Sequence, residues 1–221
     1  MSGLLLTLEG IEGSGKTTQA RRIKAWLDAR GIRATLTREP GGSPLGERIR
    51  ELVLTQGPEP VAPGAELLLF LAARAQHVTG TIRPALERGD VVVCDRFTDA
   101  TLAYQGGGRT IPDPFLRSLN DWATGTLCPA RTYMIDVPVE VGLKRAQERR
   151  GGSGGDRFES ETAAFFGAVR ERYLELARRE PERIVVLRGT DPEETIWHQI
   201  KEDLDRLLSS PDQPNIEVNR P

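Results

Sequence analysis

A glycine-spaced turn near the start of the chain has the residue types and spacing of a phosphate-binding loop. Residues 10–17 read GIEGSGKT and fit the pattern G-x-x-x-x-G-K-[ST] at every position, between an apolar run and a helical pattern. Glycines allow backbone N–H groups to turn toward phosphate oxygens, and the helix that follows directs its positive end at them. The turn therefore predicts a site for a nucleoside triphosphate. Its predicted binding residues are Gly10, Ile11, Glu12, Gly13, Ser14, Gly15, Lys16, Thr17 and Thr18.

Two side chains of this turn and one distant carboxylate predict how the phosphates are neutralised. Lys16 would neutralise the β- and γ-phosphates, and the Thr17 hydroxyl would bind Mg²⁺. Asp95 directly follows the apolar run VVVC, where a carboxylate would help to hold the same ion through water. The turn alone leaves three uses of the triphosphate open: a GTPase switch, a motor, and transfer to another small molecule.

Arg96, the residue after Asp95, is the first indication of a second anion. A guanidinium can bind two phosphate oxygens at once, which suits a second phosphate placed beside the first. The alternative is that Arg96 and Asp95 simply form an ion pair with each other. The sequence leaves both interpretations open.

Two helical patterns carry side chains suited to a planar base. Phe70 and Arg74 are four residues apart in LLLFLAARAQ, so one helix face could stack a ring on a base and donate to its edge carbonyl. Thr101, Tyr104 and Gln105 form a second such face at spacings i, i+3 and i+4. A Phe among leucines can also be a core residue, and the second set can be a solvated helix surface. These alternatives stay open.

A basic, glycine-rich segment predicts a mobile lid over about residues 145–160. The run GGSGG at 151–155 is typical of a linker and lies between two helical patterns. Cations that close over a transferring phosphoryl group stabilise the transition state, and closure excludes water. Arg150 and Arg157 flank the hinge and are the predicted catalytic cations, whereas the basic residues further upstream can be a solvated helix face.

The elements that must position these residues form an α/β pattern. Short apolar runs lie at residues 4–8, 34–37, 91–94, 132–137 and 184–187. Stretches with helical spacing separate them, and in one stretch the apolar face carries Leu45, Ile49, Leu52 and Val53. Near-continuous apolar strands that alternate with amphipathic helices predict a three-layer fold, with a five-stranded parallel sheet covered on both faces. Ligands bind such a sheet at the carboxyl ends of its strands.

Bulk composition narrows the class of protein. The 221 residues include 30 basic and 32 acidic side chains, a net charge of −2, which argues against nucleic acid or a membrane surface as a partner. No apolar run approaches the roughly 18 residues of a membrane span, and Cys94 and Cys128 form no metal or disulfide pattern. We expect a cytoplasmic protein with a single domain over residues 1–208 and a flexible tail over 209–221.

Six stretches of the chain together resemble bacterial thymidylate kinases, which transfer a phosphoryl group from ATP to dTMP. They are LEGIEGSGKTT (8–18), TREPGG (37–42), LLLFLAARAQH (67–77), CDRFTDATLAYQG (94–106), IDVP (135–138) and DRFE (156–159). The resemblance covers residues 4 to about 205. It implies a P-loop nucleoside monophosphate kinase that works with Mg²⁺ and ATP, accepts dTMP as its second substrate and forms a homodimer.

The resemblance also implies roles for individual residues. Phe70 would stack on thymine, and Arg74 would contact its edge. Arg38 and Arg96 would hold the phosphate of dTMP. In the family, an acidic residue at the position of Glu12 goes with catalytic arginines from the lid. The implied substrate-binding residues are Arg38, Phe70, Arg74, Arg96, Thr101, Tyr104 and Gln105. The implied catalytic residues are Lys16, Arg96, Arg150, Arg157 and Glu12, with Glu159 as a further candidate near the acceptor.

Two alternatives to this function can be tested against the sequence. A related kinase would use another nucleoside monophosphate, or a deoxynucleoside, as its acceptor. A GTP-dependent switch would need a guanine-reading N-K-x-D after a late strand, and the chain has none. In a switch, TREPGG and the segment after Asp95 would also have no purpose. The sequence therefore favours transfer from ATP to dTMP.

Overall fold

The computed structural model describes residues 3–149, 157–158 and 161–209, and its centre is a parallel β-sheet. The strands are β1 (Leu4–Glu9), β2 (Ala34–Arg38), β3 (Val91–Asp95), β4 (Arg131–Asp136) and β5 (Ile184–Arg188). Their order in the sheet is β2-β3-β1-β4-β5, and every neighbouring pair is parallel. Each apolar run singled out in the sequence overlaps one of these strands, so the predicted five-stranded parallel sheet is confirmed.

Helices cover both faces of the sheet. They are α1 (Lys16–Asp28), α2 (Pro44–Leu54), α3 (Pro63–His77), α4 (Arg83–Glu87), α5 (Thr98–Thr101), α6 (Asp113–Thr124), α7 (Val139–Arg149), α8 (Ala163–Arg179) and α9 (Glu193–Ser209). Two π-helical segments, Val78–Ile82 and Leu102–Gly108, continue α3 and α5. One hydrophobic cluster joins the sheet to α1 and α9, and another joins it to α3, α6 and α8. The predicted three-layer arrangement is confirmed.

The central strand β1 is buried along its whole length, and its side chains alternate between the two layers. Leu4, Leu6 and Leu8 lie in the cluster with α1 and α9. Leu5 lies on the opposite face, in a cluster with α4. The same alternation puts Glu9, the last residue of the strand, on the face of Leu5, so a carboxylate enters the layer that contains α5 and α8.

The register of the strands aligns functional side chains at one edge of the sheet. Leu8 of β1 and Arg38 of β2 are both register partners of Asp95 in β3. Because parallel strands run in the same direction, the residues that follow these three positions emerge side by side. This edge carries the phosphate-binding loop after β1 and Arg96 after β3.

The apolar face expected for α2 is only half buried. Ile49 and Val53 are buried and pack with Ala73 of α3. Leu45 and Leu52, which the helical spacing placed on the same face, are exposed. The apolar face of α2 is therefore wider than the groove that α3 offers to it.

The segment after β3 differs from the single α-helix that the spacing of its polar residues suggested. Thr101 is the last residue of α5, whereas Tyr104 and Gln105 lie in the π-helical segment that follows. A π-helix has a wider turn than an α-helix, and such segments occur often at functional sites. All three side chains are nevertheless buried, and all three lie next to the edge of the sheet described above.

The last helix includes Ser209, the residue at which a tail was predicted to begin. Residues 210–221 lie outside the described residues, and the division into one domain and a tail stays a prediction. Among the described residues, no helix is both long and apolar enough to cross a membrane.

Candidate active site

The loop between β1 and α1 has a backbone that larger side chains would block. Gly10 and Gly13 have φ angles of 137° and 69°, in the region that favours glycine. A Cβ atom on Gly10 would collide with the Ile135 carbonyl of β4, and one on Gly13 with the Gly142 carbonyl of α7. Gly15, with φ 101°, caps α1. The loop therefore leads directly into a helix N-terminus, whose free N–H groups suit phosphate oxygens.

Lys16 is buried, and its ammonium group bonds to the loop itself. It donates to the backbone oxygens of Gly10 (3.0 Å) and Ile11 (2.8 Å) and to the hydroxyl of Ser14 (3.2 Å). Burial, together with the nearby charge of Arg96, lowers the pKa of Lys16 to about 8. Since these three acceptors are neutral, a phosphate anion in the loop would be a stronger partner for the ammonium group.

Thr17 and Asp95 place two oxygen atoms together at the opening of the loop. The Thr17 hydroxyl donates to Asp95 Oδ2 at 2.6 Å. Thr17 is in the first turn of α1, and Asp95 is the last residue of β3. Hydroxyl and carboxylate oxygens are the ligands that Mg²⁺ takes in phosphate-transfer sites, so this pair has the chemistry of the predicted metal ligands.

Arg96 has an unusual backbone conformation directly beside this pair. Its φ of 71° lies in the left-handed region, which costs a non-glycine residue roughly 1 kcal/mol. Its backbone N–H donates to the Leu8 carbonyl of β1 at 3.0 Å. The turn directs the side chain of Arg96 across the phosphate-binding loop, whereas the carboxylate of Asp95 stays with Thr17.

The guanidinium of Arg96 bonds to the loop and to α8. It donates to the Gly10 carbonyl (2.9 Å) and to the hydroxyl of Tyr173 (3.3 Å). Its ion pair is with the Glu12 carboxylate, at 2.8 Å. The contacts described for Arg96 therefore do not include the ion pair with Asp95 that the sequence left open as an alternative.

Glu12 connects the loop to the segment after α5. Its carboxylate accepts a hydrogen bond from Arg96 and a bifurcated one from the Tyr104 hydroxyl, whose oxygen lies 2.9 and 2.7 Å from the two carboxylate oxygens. The guanidinium of Arg96 also lies 4.9 Å from the centre of the Tyr104 ring. This arrangement brings a carboxylate, a guanidinium group and a phenol to the border between the loop and the cavity beside it.

Arg74 is the centre of a buried network on the other side of the cavity. It donates to Glu39 (2.7 Å) and to the Phe97 carbonyl (2.8 Å). It also donates to Thr101 and Asn120, both at 2.6 Å. These four partners come from four different parts of the chain, so the fold holds the guanidinium plane in one orientation.

Glu39 is fixed from a second side by His77. The ring Nδ1 of His77 lies 3.0 Å from Glu39 Oε1, and its Nε2 lies 2.7 Å from the Thr37 hydroxyl. Burial raises the pKa of Glu39, but the charge of Arg74 and the hydrogen bond from His77 outweigh burial and hold that pKa below its usual value. The carboxylate is therefore ionised and keeps Arg74 in place.

Phe70 and Gln105 complete this side of the cavity. The Phe70 ring lies 5.8 Å from that of Phe158 and is only partly buried, so its position on α3 faces the cavity as well as the core. Gln105 is buried, and its amide donates to Glu66 at 2.9 Å. Since Phe70 borders the cavity, the interpretation as a core residue alone does not describe it.

Most of the predicted residues surround one cavity of about 220 Å³. Those that line it are Glu12, Gly13, Lys16, Thr17, Arg38, Phe70, Arg74, Asp95, Arg96, Thr101, Tyr104 and Gln105. Arg38 is exposed at the end of β2 and forms an ion pair with Glu47 at 2.8 Å. The structure thus brings the predicted metal, phosphate and base residues together, while their individual roles stay predictions.

Several residues that line the cavity were not predicted. They are Glu39, Pro40, Arg50, Leu54, Ala100, Arg149 and Phe158. Glu39 and Pro40 lie in the TREPGG stretch, which was noted only as a motif. Arg149 belongs to the basic run before GGSGG, and its exposed side chain at the end of α7 reaches this cavity. The basic run was thus a signal, although it could not show which arginine points inward.

A second recess opens beside the N-terminus of α1. Ser14, Gly15 and Thr18 form one wall, and Arg145 and Asp191 belong to the other. The Arg145 guanidinium donates to the Gly189 carbonyl at 2.8 Å, and both residues line the recess. Of these residues, only those of the loop were expected from the sequence.

The predicted lid residues are only partly described. Arg150 and Glu159 lie outside the described residues. Arg157 is described, and its side chain donates to the Val53 carbonyl (2.9 Å) and to Glu66 (2.7 Å). It is not one of the residues that line the cavity in the described part of the chain. The structure therefore brings Arg149, rather than Arg157, to the cavity.

Known proteins match the chain along most of its length. The family model for thymidylate kinase matches residues 8–200. A thymidylate kinase of Alkalilimnicola ehrlichii is 50% identical over 202 residues, which are 91% of this chain and 92% of that protein. A thymidylate kinase of Pseudomonas syringae pv. syringae is 54% identical over 183 residues, 83% of this chain and 86% of that protein.

A solved structure has the same fold. The crystal structure of thymidylate kinase from Ehrlichia chaffeensis matches with a TM-score of 0.74 and 30% sequence identity. The match covers 92% of this chain and 99% of that one. On sequence and structure together, the chain belongs to the thymidylate kinase family.

Proposed function

We propose that this protein transfers the γ-phosphoryl group of ATP to the 5′-phosphate of dTMP, giving ADP and dTDP. Its family makes it a phosphotransferase that uses a nucleotide. One observation supports the location of the reaction: Lys16 of the phosphate-binding loop and the base-side residues Phe70 and Arg74 line the same cavity. A donor phosphate and an acceptor base would therefore lie in the same cavity, as direct transfer requires.

The donor side is the loop and the recess next to it. Loop N–H groups and Lys16 would bind the β- and γ-phosphates, and the base of ATP would extend into the recess below Arg145. Thr17 and Asp95 would hold Mg²⁺, since both present oxygen atoms at the opening of the loop. When bound, this ion neutralises charge on the β- and γ-phosphates.

The acceptor side would recognise a base that has a carbonyl group at its edge. In the described residues Arg74 donates four hydrogen bonds to the protein, which leaves one of the five N–H groups of a guanidinium for the base. Phe70 presents a ring face on which thymine would stack. Thr101 accepts from Arg74, so its hydroxyl oxygen keeps a second lone pair for a base N–H.

The arginines at the strand ends would hold the phosphate of dTMP. Arg96 and Arg38 both line the cavity, and each now forms an ion pair with a carboxylate, Glu12 and Glu47 respectively. A phosphate dianion offers more oxygens and more charge than a single carboxylate, so both guanidinium groups would turn part of their donor capacity to it. Glu12, released in part, would keep Tyr104 oriented toward the sugar.

The chemical step needs alignment and charge neutralisation rather than a general base. An oxygen of the dTMP phosphate forms the new bond to the γ-phosphorus as the bond from that phosphorus to the β,γ-bridging oxygen breaks, and ADP leaves with the electron pair. Lys16 and Arg96 would neutralise the negative charge on the two sides of the transferring group. We add Arg149 to the predicted lid cations Arg150 and Arg157, because its side chain borders the cavity.

The function is tested by measuring ADP release with a panel of acceptors at fixed Mg²⁺ and ATP. We expect kcat/KM to be highest for dTMP and lower for dUMP, dCMP, UMP and thymidine. Higher values for dCMP or UMP would show that the acceptor is another nucleoside monophosphate, and turnover of thymidine alone would indicate a deoxynucleoside kinase. A matched assay without acceptor measures the background rate of ATP hydrolysis.

We also propose that the protein is a homodimer that pairs through α3 and its two neighbours. The exposed residues of α3 are Pro63, Gly64, Ala65, Leu68, Ala72 and Gln76, and none is charged. The charged residues of this helix point inward instead. α3 packs between α2 and α6, which expose Leu52 (64%) and Trp122 (81%) beside it. A second copy would cover this apolar surface with an identical one, as a two-fold interface requires.

The dimer is tested by sedimentation velocity with Leu68→Glu, which places a charge at the centre of the α3 surface. We expect the wild-type protein to sediment as a dimer of the 24.4 kDa chain and the variant as a monomer. Val186→Glu, at an exposed apolar position on β5, is the matched control and should stay dimeric. A monomeric wild-type protein, or a dimeric Leu68→Glu variant, would contradict this interface. A cytoplasmic location stays a prediction.

A further inference from the structure

Glu9 is a fully buried carboxyl group that the reaction described above does not use. It is the last residue of β1, directly before the phosphate-binding loop, and its side chain enters the layer with α5 and α8. Burying a carboxyl group in a sheet costs free energy unless specific partners compensate for it, and an apolar residue would avoid that cost. The neighbouring residues of β1 on the opposite face are leucines. The carboxyl group therefore needs a local reason.

Its two oxygens bond to two different elements around Arg96. Oε1 accepts from the backbone N–H of Phe97, at 2.7 Å. Oε2 accepts from the hydroxyl of Tyr173 in α8, at 2.6 Å. The same tyrosine oxygen accepts from Arg96 Nη1, at 3.3 Å. One carboxyl group thus reaches the main chain on one side of Arg96 and, through a single phenol, its guanidinium on the other.

The backbone at this point needs such support. Arg96 has a φ of 71°, and strained conformations of this kind persist only where the surroundings determine them. Its own N–H bonds to the Leu8 carbonyl, and the next N–H, that of Phe97, bonds to Glu9. Two consecutive residues of β1 therefore hold two consecutive N–H groups of the turn after β3.

We infer that Glu9 is the positioning residue for Arg96, holding its backbone through Phe97 and its guanidinium through Tyr173 so that it faces the acceptor phosphate. The inference rests on the proposed role of Arg96 in binding that phosphate. Glu9 does not touch the substrate in this arrangement. Its effect is on the fraction of time during which Arg96 is oriented for binding.

Charged and polar groups from three elements face the Glu9 carboxyl group. Glu9 faces Asp99 of α5, Tyr173 of α8 and Arg96 of the turn. Burial, and then the charge of Asp99, raise the pKa of Glu9 to about 7, while Arg96, Tyr173 and Phe97 act in the opposite direction. Asp99 is itself held by both Nη atoms of Arg183, at 2.7 and 2.8 Å, so it does not compete for Arg96.

The test compares two ligands that differ only by the phosphate. In Glu9→Gln, the amide oxygen can still accept from Phe97, but the side chain loses its negative charge and now presents N–H groups to Tyr173. By titration calorimetry at pH 8, above the raised pKa of Glu9, we expect the Kd of dTMP to rise about ten-fold, a cost typical of one lost charge-assisted contact. The affinity of thymidine, measured as a competitor of dTMP, should change by less than about two-fold because it has no phosphate for Arg96 to bind.

Two further variants separate this role from a general structural one. Tyr173→Phe should weaken dTMP in the same direction but less, since it removes only the link to the guanidinium. Thr7→Val removes a buried hydrogen bond, the 2.7 Å contact with Thr132, from the same face of β1. It should lower the melting temperature and leave the affinities for dTMP and thymidine unchanged.

The decisive comparison is a double-mutant cycle with Arg96→Gln. If Glu9 acts through Arg96, Glu9→Gln should weaken dTMP in the wild-type background and have little further effect in Arg96→Gln. Equal loss in both backgrounds, or equal loss of thymidine and dTMP, would overturn the inference while leaving the role of Arg96 intact. Unchanged dTMP binding in Arg96→Gln alone would instead overturn the proposed role of Arg96, and this inference with it.

Discussion

The donor and acceptor sides of the cavity are built in different ways. The donor side is a loop of consecutive residues whose backbone faces the ligand, and Lys16 bonds to oxygens no more than six positions away. The acceptor side is a set of side chains collected from distant parts of the chain. Arg74 bonds to residues 23 to 46 positions away. One side depends on local backbone geometry and the other on the assembled fold.

This difference has a consequence for substitutions. In the loop, Lys16 supplies the positive charge, and two of its three hydrogen-bond partners are backbone oxygens that no substitution removes. In the acceptor pocket, each side chain also holds another buried group, so a substitution changes binding and stability together. Variants on the two sides should therefore separate into those that lose turnover alone and those that lose affinity for dTMP together with stability.

The largest effect is expected for Lys16→Ala on the donor side. The ammonium group is the one cation of the loop, so kcat should fall by about a thousand-fold, a loss typical for removal of a central transition-state charge. The melting temperature should change little, because the oxygens that lose this donor lie beside the open cavity. Steady-state kinetics and thermal denaturation test both statements. Lys24→Ala, which removes a partly exposed lysine of α1 paired with Asp28, is the control; a similar loss there would contradict the assignment.

The next effect is expected for Arg74→Gln on the acceptor side. The KM for dTMP should rise about ten- to hundred-fold through loss of a charged donor, while the KM for ATP stays near normal. The free energy of unfolding should also fall, by about 3–5 kcal/mol, since Glu39 loses its buried guanidinium partner. Kinetics and urea denaturation measure the two changes.

Arg117→Gln, at an exposed position of α6, is the control for Arg74→Gln and should alter neither quantity. If Arg74→Gln raised the KM for ATP instead, the base pocket would be in the wrong place and the contrast between the two sides would fail.

A smaller effect is expected for Arg149→Ala, at the border of the two sides. Its side chain reaches the cavity from the end of α7, so kcat should fall about ten-fold with little change in the KM for dTMP. Lys144→Ala on the same helix, an exposed lysine that lies near Glu148, should have no such effect. An equal loss in the two variants would mean that charge on α7 acts in general and that no single arginine is directed at the transferring group.

The last prediction is a pH dependence of stability that arises from Glu9, the buried carboxyl group behind Arg96. Because the pKa of Glu9 is raised to about 7 in the folded protein, from 4.5 as its ordinary value, the folded state binds a proton more tightly than the unfolded state does. The resulting stabilisation is complete below about pH 4.5 and is lost as the pH rises through 7. Melting temperatures between pH 5 and 8 should therefore fall more for the wild-type protein than for Glu9→Gln. Parallel profiles would contradict the raised pKa.

Some features of the acceptor side could be expected from residue spacing, and others could not. Phe70 and Arg74 lie on one turn of α3 as their spacing predicted, because an α-helix has a fixed period. Thr101, Tyr104 and Gln105 reach the same cavity although the predicted helix is partly a π-helix. The ion pair of Arg96 with Glu12 rather than with Asp95 could not be predicted, since it depends on a left-handed backbone turn between adjacent residues.

The exposed leucines of α2 show that residue spacing does not predict burial either. Helical spacing placed Leu45 and Leu52 on one face with Ile49 and Val53, but spacing does not show how wide a groove the neighbouring helix provides. Burial is a property of the packed pair α2 and α3. The same reasoning applies to Glu39, which stands in a recognisable motif but whose partners Arg74 and His77 come from another helix.

The amino-acid sequence by itself determined the donor loop, the five-stranded parallel sheet and the membership of a kinase family. These follow from interactions between residues close in the chain: glycine conformations, apolar periods and a lysine beside its own loop. The tertiary structure alone decided that Arg74 is held by four distant partners, that the side chain of Arg149 borders the cavity, and that Glu9 lies behind Arg96. Those contacts join residues that meet only when separate elements pack, and no local pattern encodes them.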